Sequence, residues 1–199
     1  MQFSTSPAYD RLLTADRNFH IVFLVVGGLF TLLLLLLSVF CWVRFKRARR
    51  RTFERRAYLS FGSASLVLGL LMAVAFWANV TSVVNPGQTL AGTTFSRVGE
   101  TWLRSGSAQI SPLLQRAIDE RLGWQRPKAI ICAVLLVALV TATALLWRTL
   151  LRRSAAGEPH RLMLSAGVVA VVPCLLLMLM VIGNAEGAIA PLFLTVLYG

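Results

Sequence analysis

The sequence predicts an all-α integral membrane fold: a four-helix bundle built from two parallel two-span hairpin repeats, each preceded by an outer amphipathic interfacial helix. Three observations carry that expectation. Four runs of 19 to 24 residues contain no charged side chain. The residues AVILMFWYC make up 57% of the 199 and DEKR only 14%, against roughly 25% charged in soluble domains. A constant offset of 105 residues lays the second half of the chain on the first. The same composition excludes a disordered chain, a nucleic-acid arm and a secreted disulfide scaffold.

In chain order, the first element is a short helix. Ser6 is its expected N-cap, and Pro7 takes the first helical position, where a missing N–H costs nothing. Ala8, Leu12, Ala15 and Phe19 recur at helical spacing on one face, opposite Asp10, Arg11, Thr14 and Arg17. Ile21–Val43 follows, 23 residues without a charge. At 1.5 Å per residue that is about 34 Å, enough to cross a ~30 Å hydrocarbon core. The preceding residues carry no net positive charge and no small-residue cleavage pattern, so this run reads as a retained helix rather than a secretory signal.

A basic turn comes next, with Arg44, Lys46, Arg47, Arg49, Arg50, Arg51, Arg55 and Arg56. Flanked by apolar runs, these eight residues are expected at an anionic lipid surface, not on nucleic acid. Tyr58–Ala78 is the second span. Its small residues Ser60, Gly62, Ser63, Ala64, Ser65 and Gly69 form a packing face for a neighbouring helix.

The second half repeats this grammar. Ser111-Pro112 opens an amphipathic helix with Leu114, Ala117, Ile118 and Leu122 on its apolar face, and Trp124 is expected at the membrane interface. Ala129–Trp147 and Leu162–Ala185 are the third and fourth spans, joined by a turn holding Arg148, Arg152, Arg153, His160 and Arg161. Pro173 is expected to kink the fourth span. At the offset of 105, Trp42 meets Trp147, Gly62 meets Gly167, Asn79 meets Asn184 and Pro86 meets Pro191. Coincidences of Leu are cheap in membrane spans; those of Trp, Pro and Asn are not. The expected division is residues 1–94 for the first repeat, 95–110 for an outer linker and 111–199 for the second repeat. With two spans per repeat, both copies face the same way about an axis along the membrane normal.

The two short basic turns place themselves in the cytoplasm, which puts both termini and the long connection outside. Eighteen Arg against two Lys suggests a GC-rich bacterial genome, and hence a bacterial plasma membrane.

Chemistry-bearing groups are few. The runs hold no ionisable side chain at depth apart from cysteine, which counts against ion coupling. His20 and His160 fall at opposite membrane faces. Cys41, Cys132 and Cys174 lie in apolar runs as expected free thiols. No catalytic residue, metal or cofactor is expected. Asn79 and Asn184, near the ends of the two exiting spans, are an expected vestibule pair. Ala188–Tyr198 is apolar but too short to span, and needs cover from lipid or another protein. Together these features point to a non-enzymatic accessory or structural subunit of a larger membrane complex, contacted partly through the tail. The alternative is a small transporter or channel for an apolar or lipid-like solute without ion coupling.

Overall fold

The computed structural model describes residues 6–50, 52–156 and 161–199, with the side chains of 155 and 161–164 left aside. Every regular element among them is helical: α1 (Pro7–Arg47), α2 (Phe53–Val84), α3 (Pro86–Thr89), α4 (Arg97–Ser105), α5 (Pro112–Ala155), α6 (Arg161–Ile189) and α7 (Pro191–Tyr198). The helices α1, α2, α5 and α6 are each long and apolar enough to cross a membrane. The chain is a multi-pass membrane protein by that criterion.

The helix starts follow the sequence logic. Ser6 Oγ accepts the Tyr9 N–H at 3.2 Å, and Ser111 Oγ accepts that of Leu114 at 3.3 Å. The expected interfacial helices, however, are not separate elements. Each is the first stretch of a continuous helix, 41 residues for α1 and 44 for α5. Nothing between Phe19 and Ile21 breaks the backbone pattern, and α5 runs on through Pro127. Helices of that length are about 60 Å or more, roughly twice the hydrocarbon thickness, so each carries about twenty residues beyond it.

The chain divides into two compact units. A terminal unit comprises Met1–Gly27, Ala75–Ile130 and Ile182–Gly199; a hairpin unit comprises Gly28–Val74 and Ile131–Val181.

The terminal unit has an apolar core of Ala8, Leu12, Ala15, Leu90, Trp102, Leu103, Leu114, Ile118, Phe193 and Val196. The stripes foreseen at the starts of α1 and α5 are therefore buried against protein. The partners are α4 and α7, which lie in segments read as a linker and an uncovered tail. Ser96 caps α4 by accepting the Gly99 N–H at 3.1 Å, and Gly106 ends it at φ +69°, a left-handed conformation suited to glycine. Both the N–H and the hydroxyl of Ser96 donate to the Val196 carbonyl, at 2.9 and 3.0 Å. That seam sets α7 directly on α4, and a Cβ on Gly99 would collide with the Val196 backbone. The tail thus finds cover within the chain, with Thr195 and Val196 fully buried, while Tyr198 remains exposed.

In the hairpin unit the small-residue face is narrower than expected. Gly62, Ser65 and Gly69 are buried; Ser60 and Ala64 are exposed. A Cβ on Gly62 would stand 3.2 Å from the Trp42 indole, and one on Gly167 would stand 3.1 Å from the Trp147 indole. The Gly62 carbonyl accepts from Ser38 Oγ at 2.9 Å, and the Gly167 carbonyl from Trp147 Nε1 at 3.2 Å. Phe61 meets Trp147 edge to face, with centroids 4.4 Å apart. The three cysteines are free thiols. Polar side chains in these helices thus close backbone carbonyls within the fold, where an unpaired group in hydrocarbon would cost several kcal/mol.

Candidate functional site

The terminal unit buries a polar cluster that the pattern of apolar runs did not announce. Leu12, Asp16 and His20 succeed one another four residues apart, so they stack on one face of α1. Leu12 and Asp16 are fully buried. Asn79 comes from α2 and Glu186 from α6, where Glu186 is 8% exposed.

His20 joins the cluster. Its Nδ1 lies 2.7 Å from Asn79 Oδ1, and its Nε2 lies 3.2 Å from Asp16 Oδ1. Asn79 Nδ2 donates to the Ala75 carbonyl at 2.8 Å, which fixes the amide orientation. Oδ1 is then the acceptor facing His20, so Nδ1 carries a hydrogen. On the other side a nitrogen faces a carboxylate oxygen. That contact is attractive when His20 is protonated, and although burial opposes the charge, the Asp16 carboxylate, the Asn79 amide and the Glu186 charge together hold the imidazole above its ordinary range. Phe19 packs edge-on against His20 at 5.4 Å, and Phe193 lies 5.0 Å from Phe19.

The Asp16–His20 contact lacks hydrogen-bond alignment, and both Asp16 oxygens are buried without an aligned donor. A carboxylate so placed is costly to bury. Glu186 lies within electrostatic reach of His20, so two acidic residues share one histidine. Among the described residues no group of three or more His, Cys, Asp or Glu is placed to hold a metal ion. The cluster can bind a proton and tie α1, α2 and α6 together.

Of the expected vestibule pair, Asn79 is engaged by His20 and Ala75, whereas Asn184 stands half-buried on α6, two residues before Glu186. The expected lipid-facing residues gather on either side of the first turn. Arg44, Lys46 and Arg47 end α1, Arg49 and Arg50 follow it, and Arg55 and Arg56 lie in the first turns of α2; Arg51 is outside the described residues, as is His160. The Arg44 guanidinium lies 5.4 Å from the Phe40 ring and that of Arg55 4.5 Å from the Phe45 ring, so aromatic faces hold two of these cations.

Sequence reasoning missed Asp16 and Glu186. Asp16 belongs to neither face expected for the first helix, although the spacing of Leu12, Asp16 and His20 puts it at the edge of the apolar stripe. Glu186 falls one residue beyond the fourth uncharged run, inside a helix that continues to Ile189. No known protein family, characterised protein or solved structure matches the chain.

Proposed function

We infer that this chain is a non-enzymatic structural or accessory subunit of a larger membrane assembly. The observation that carries the inference is the uncovered apolar surface of its helices. Only 11 to 22% of the residues in each span's most apolar window are buried within the chain. Val25, Val74, Val137 and Val169 are each at least 67% exposed. Helices that bury so little of one another leave broad faces for the helices of a partner. Ser38 and Trp147 of the hairpin unit, by contrast, are turned onto backbone carbonyls of a neighbouring helix. Asn79, the residue on which a solute path was expected, is committed to His20, which favours the subunit over the transporter.

Two observations support the duplication. The indole-on-glycine contacts Trp42–Gly62 and Trp147–Gly167 lie 105 residues apart, and so do two pairs of residues that each bury an unsatisfied polar atom, Asp16 with Arg121 and His20 with Gln125. In this proposal the chain sits in a bacterial plasma membrane with its basic turns on anionic lipid in the cytoplasm and both termini outside.

Purification of the tagged chain from its native membrane in a mild detergent, after in-membrane crosslinking, tests the subunit role. A second membrane protein should co-elute at fixed stoichiometry and crosslink to the exposed faces of α1 or α5. A preparation containing only this chain, before and after crosslinking, would overturn the proposal.

A further inference from the structure

In the terminal unit, α5 lines an open groove of about 310 Å³ with Ala117, Glu120, Arg121, Trp124 and Gln125, and Gly199 borders it. Two of the lining side chains carry polar atoms that are buried without partners, the donor Arg121 Nε and the acceptor Gln125 Oε1. Buried polar groups are normally paired, and one that is not costs about 1–3 kcal/mol. An unpaired donor and an unpaired acceptor thus belong to neighbouring side chains at the wall of one groove, each shielded until its side chain turns toward a ligand. A residue one helical turn away from the groove adds a further cation: Lys128 Nζ lies 5.5 Å from the Trp124 ring. Gly187 on α6 makes the arrangement possible, because a Cβ there would stand 2.8 Å from Gln125 Cδ.

The lining defines its ligand. Arg121 Nε calls for an anion. Gln125 Oε1 calls for an N–H or O–H donor. Glu120 and the face of Trp124 favour a cation. A molecule with a phosphate at one end and a protonated amine at the other satisfies all four; a trimethylated amine cannot donate to Gln125. Position selects the source. The third uncharged run begins at Ala129. At 1.5 Å per residue Gln125 and Trp124 lie about 6 and 8 Å beyond it and Arg121 about 12 Å beyond it, the depth of phospholipid headgroups. We propose that this groove binds the phosphoethanolamine headgroup of a membrane phospholipid, with phosphate on Arg121 and ammonium between Gln125, Glu120 and Trp124.

Native mass spectrometry of the full chain, in detergent with equal amounts of phosphatidylethanolamine, phosphatidylcholine and phosphatidylglycerol, tests this. One phosphatidylethanolamine should be retained preferentially. Arg121→Gln and Gln125→Leu should each lower its occupancy about tenfold, the loss expected for one hydrogen bond to a charged group. Gly187→Ala, which displaces Gln125 without altering any ligand group, should weaken it too, and unchanged elution and helicity of the three variants confirm that they fold. Equal retention of all three lipids, or variants that keep the wild-type preference, would overturn the site. Soluble glycerophosphoethanolamine distinguishes the source: failure to compete at lipid-matched concentration supports a membrane lipid, and full competition would overturn the lipid assignment in favour of a soluble phosphate ester.

Discussion

Asp16 has two oxygens buried away from water and one close nitrogen partner, His20 Nε2 at 3.2 Å, which is an ion pair when His20 is protonated. The stability of such a pair resides less in the attraction itself than in the cost of breaking it. Removing one partner leaves the other desolvated and alone. Removing both, with apolar side chains of similar volume, can be nearly neutral. Asp16→Leu should therefore lower stability by about 3 kcal/mol, because half-buried His20 loses its nearest partner, a loss that Glu186 offsets only in part. His20→Leu should cost about as much, since it strands the Asp16 carboxylate and frees Asn79 Oδ1. The double variant should be more stable than the sum of the two losses predicts, by at least about 1 kcal/mol. Denaturant unfolding of the purified chain, followed by circular dichroism, measures the cycle. Strict additivity would mean that the two residues do not act as a pair.

At the scale of elements, α4 and α7 hold the terminal unit together through one narrow seam. The Val196 carbonyl approaches Gly99 so closely that an added Cβ would stand 2.9 Å from Val196 Cα, and backbone cannot yield as a side-chain tip does. Gly99→Ala should cost about 1–3 kcal/mol by overpacking, although glycine-to-alanine in a helix is otherwise favourable. Limited proteolysis should then cut faster at the α6–α7 junction, near Ala190. A variant as resistant as the parent would show that the seam can spread without loss. These elements also mark where the sequence was hard to read. The four spans were plain because charge is so costly in hydrocarbon that its absence delimits them. Their ends were not, since α1 and α5 continue as helices past the last residue that hydrocarbon constrains. α4 has only nine residues, one of them Gly99, and its apolar Val98, Trp102 and Leu103 show a helical period only once its Ser96 and Gly106 caps are known. α7 looked like an uncovered tail because its cover, the α4 surface, is remote in sequence. Asp16 and Glu186 share that difficulty: both lie outside the uncharged runs, and only the fold brings Glu186 within electrostatic reach of His20, the neighbour of Asp16 on α1.

Over the whole molecule, charge is distributed with a strong bias. Twelve of the twenty Lys and Arg residues fall within positions 44–57 and 148–161, the two short connections between spans. Basic residues in short loops resist transfer across a membrane, so on the proposed topology these connections should remain in the cytoplasm. The connection from 79 to 128 carries six basic and three acidic residues over fifty positions, a density too low to compete. Four crossings then return both ends to the opposite side. Single cysteines can read this arrangement directly, in a background where Cys41, Cys132 and Cys174 are replaced by alanine. Ser107 and Ala156 are both exposed, one in the long connection and the other in the second basic turn. On intact cells a membrane-impermeant maleimide should label Ser107→Cys and leave Ala156→Cys untouched until the membrane is opened. The reverse pattern would invert the topology, and labelling of both from outside would mean that α5 does not cross. Replacing the arginines at 47, 49, 50, 55 and 56 with glutamine should, in turn, raise outside labelling of Ala156→Cys, because only Arg44, Lys46 and Arg51 in the first turn and the four basic residues of the second would then hold the orientation.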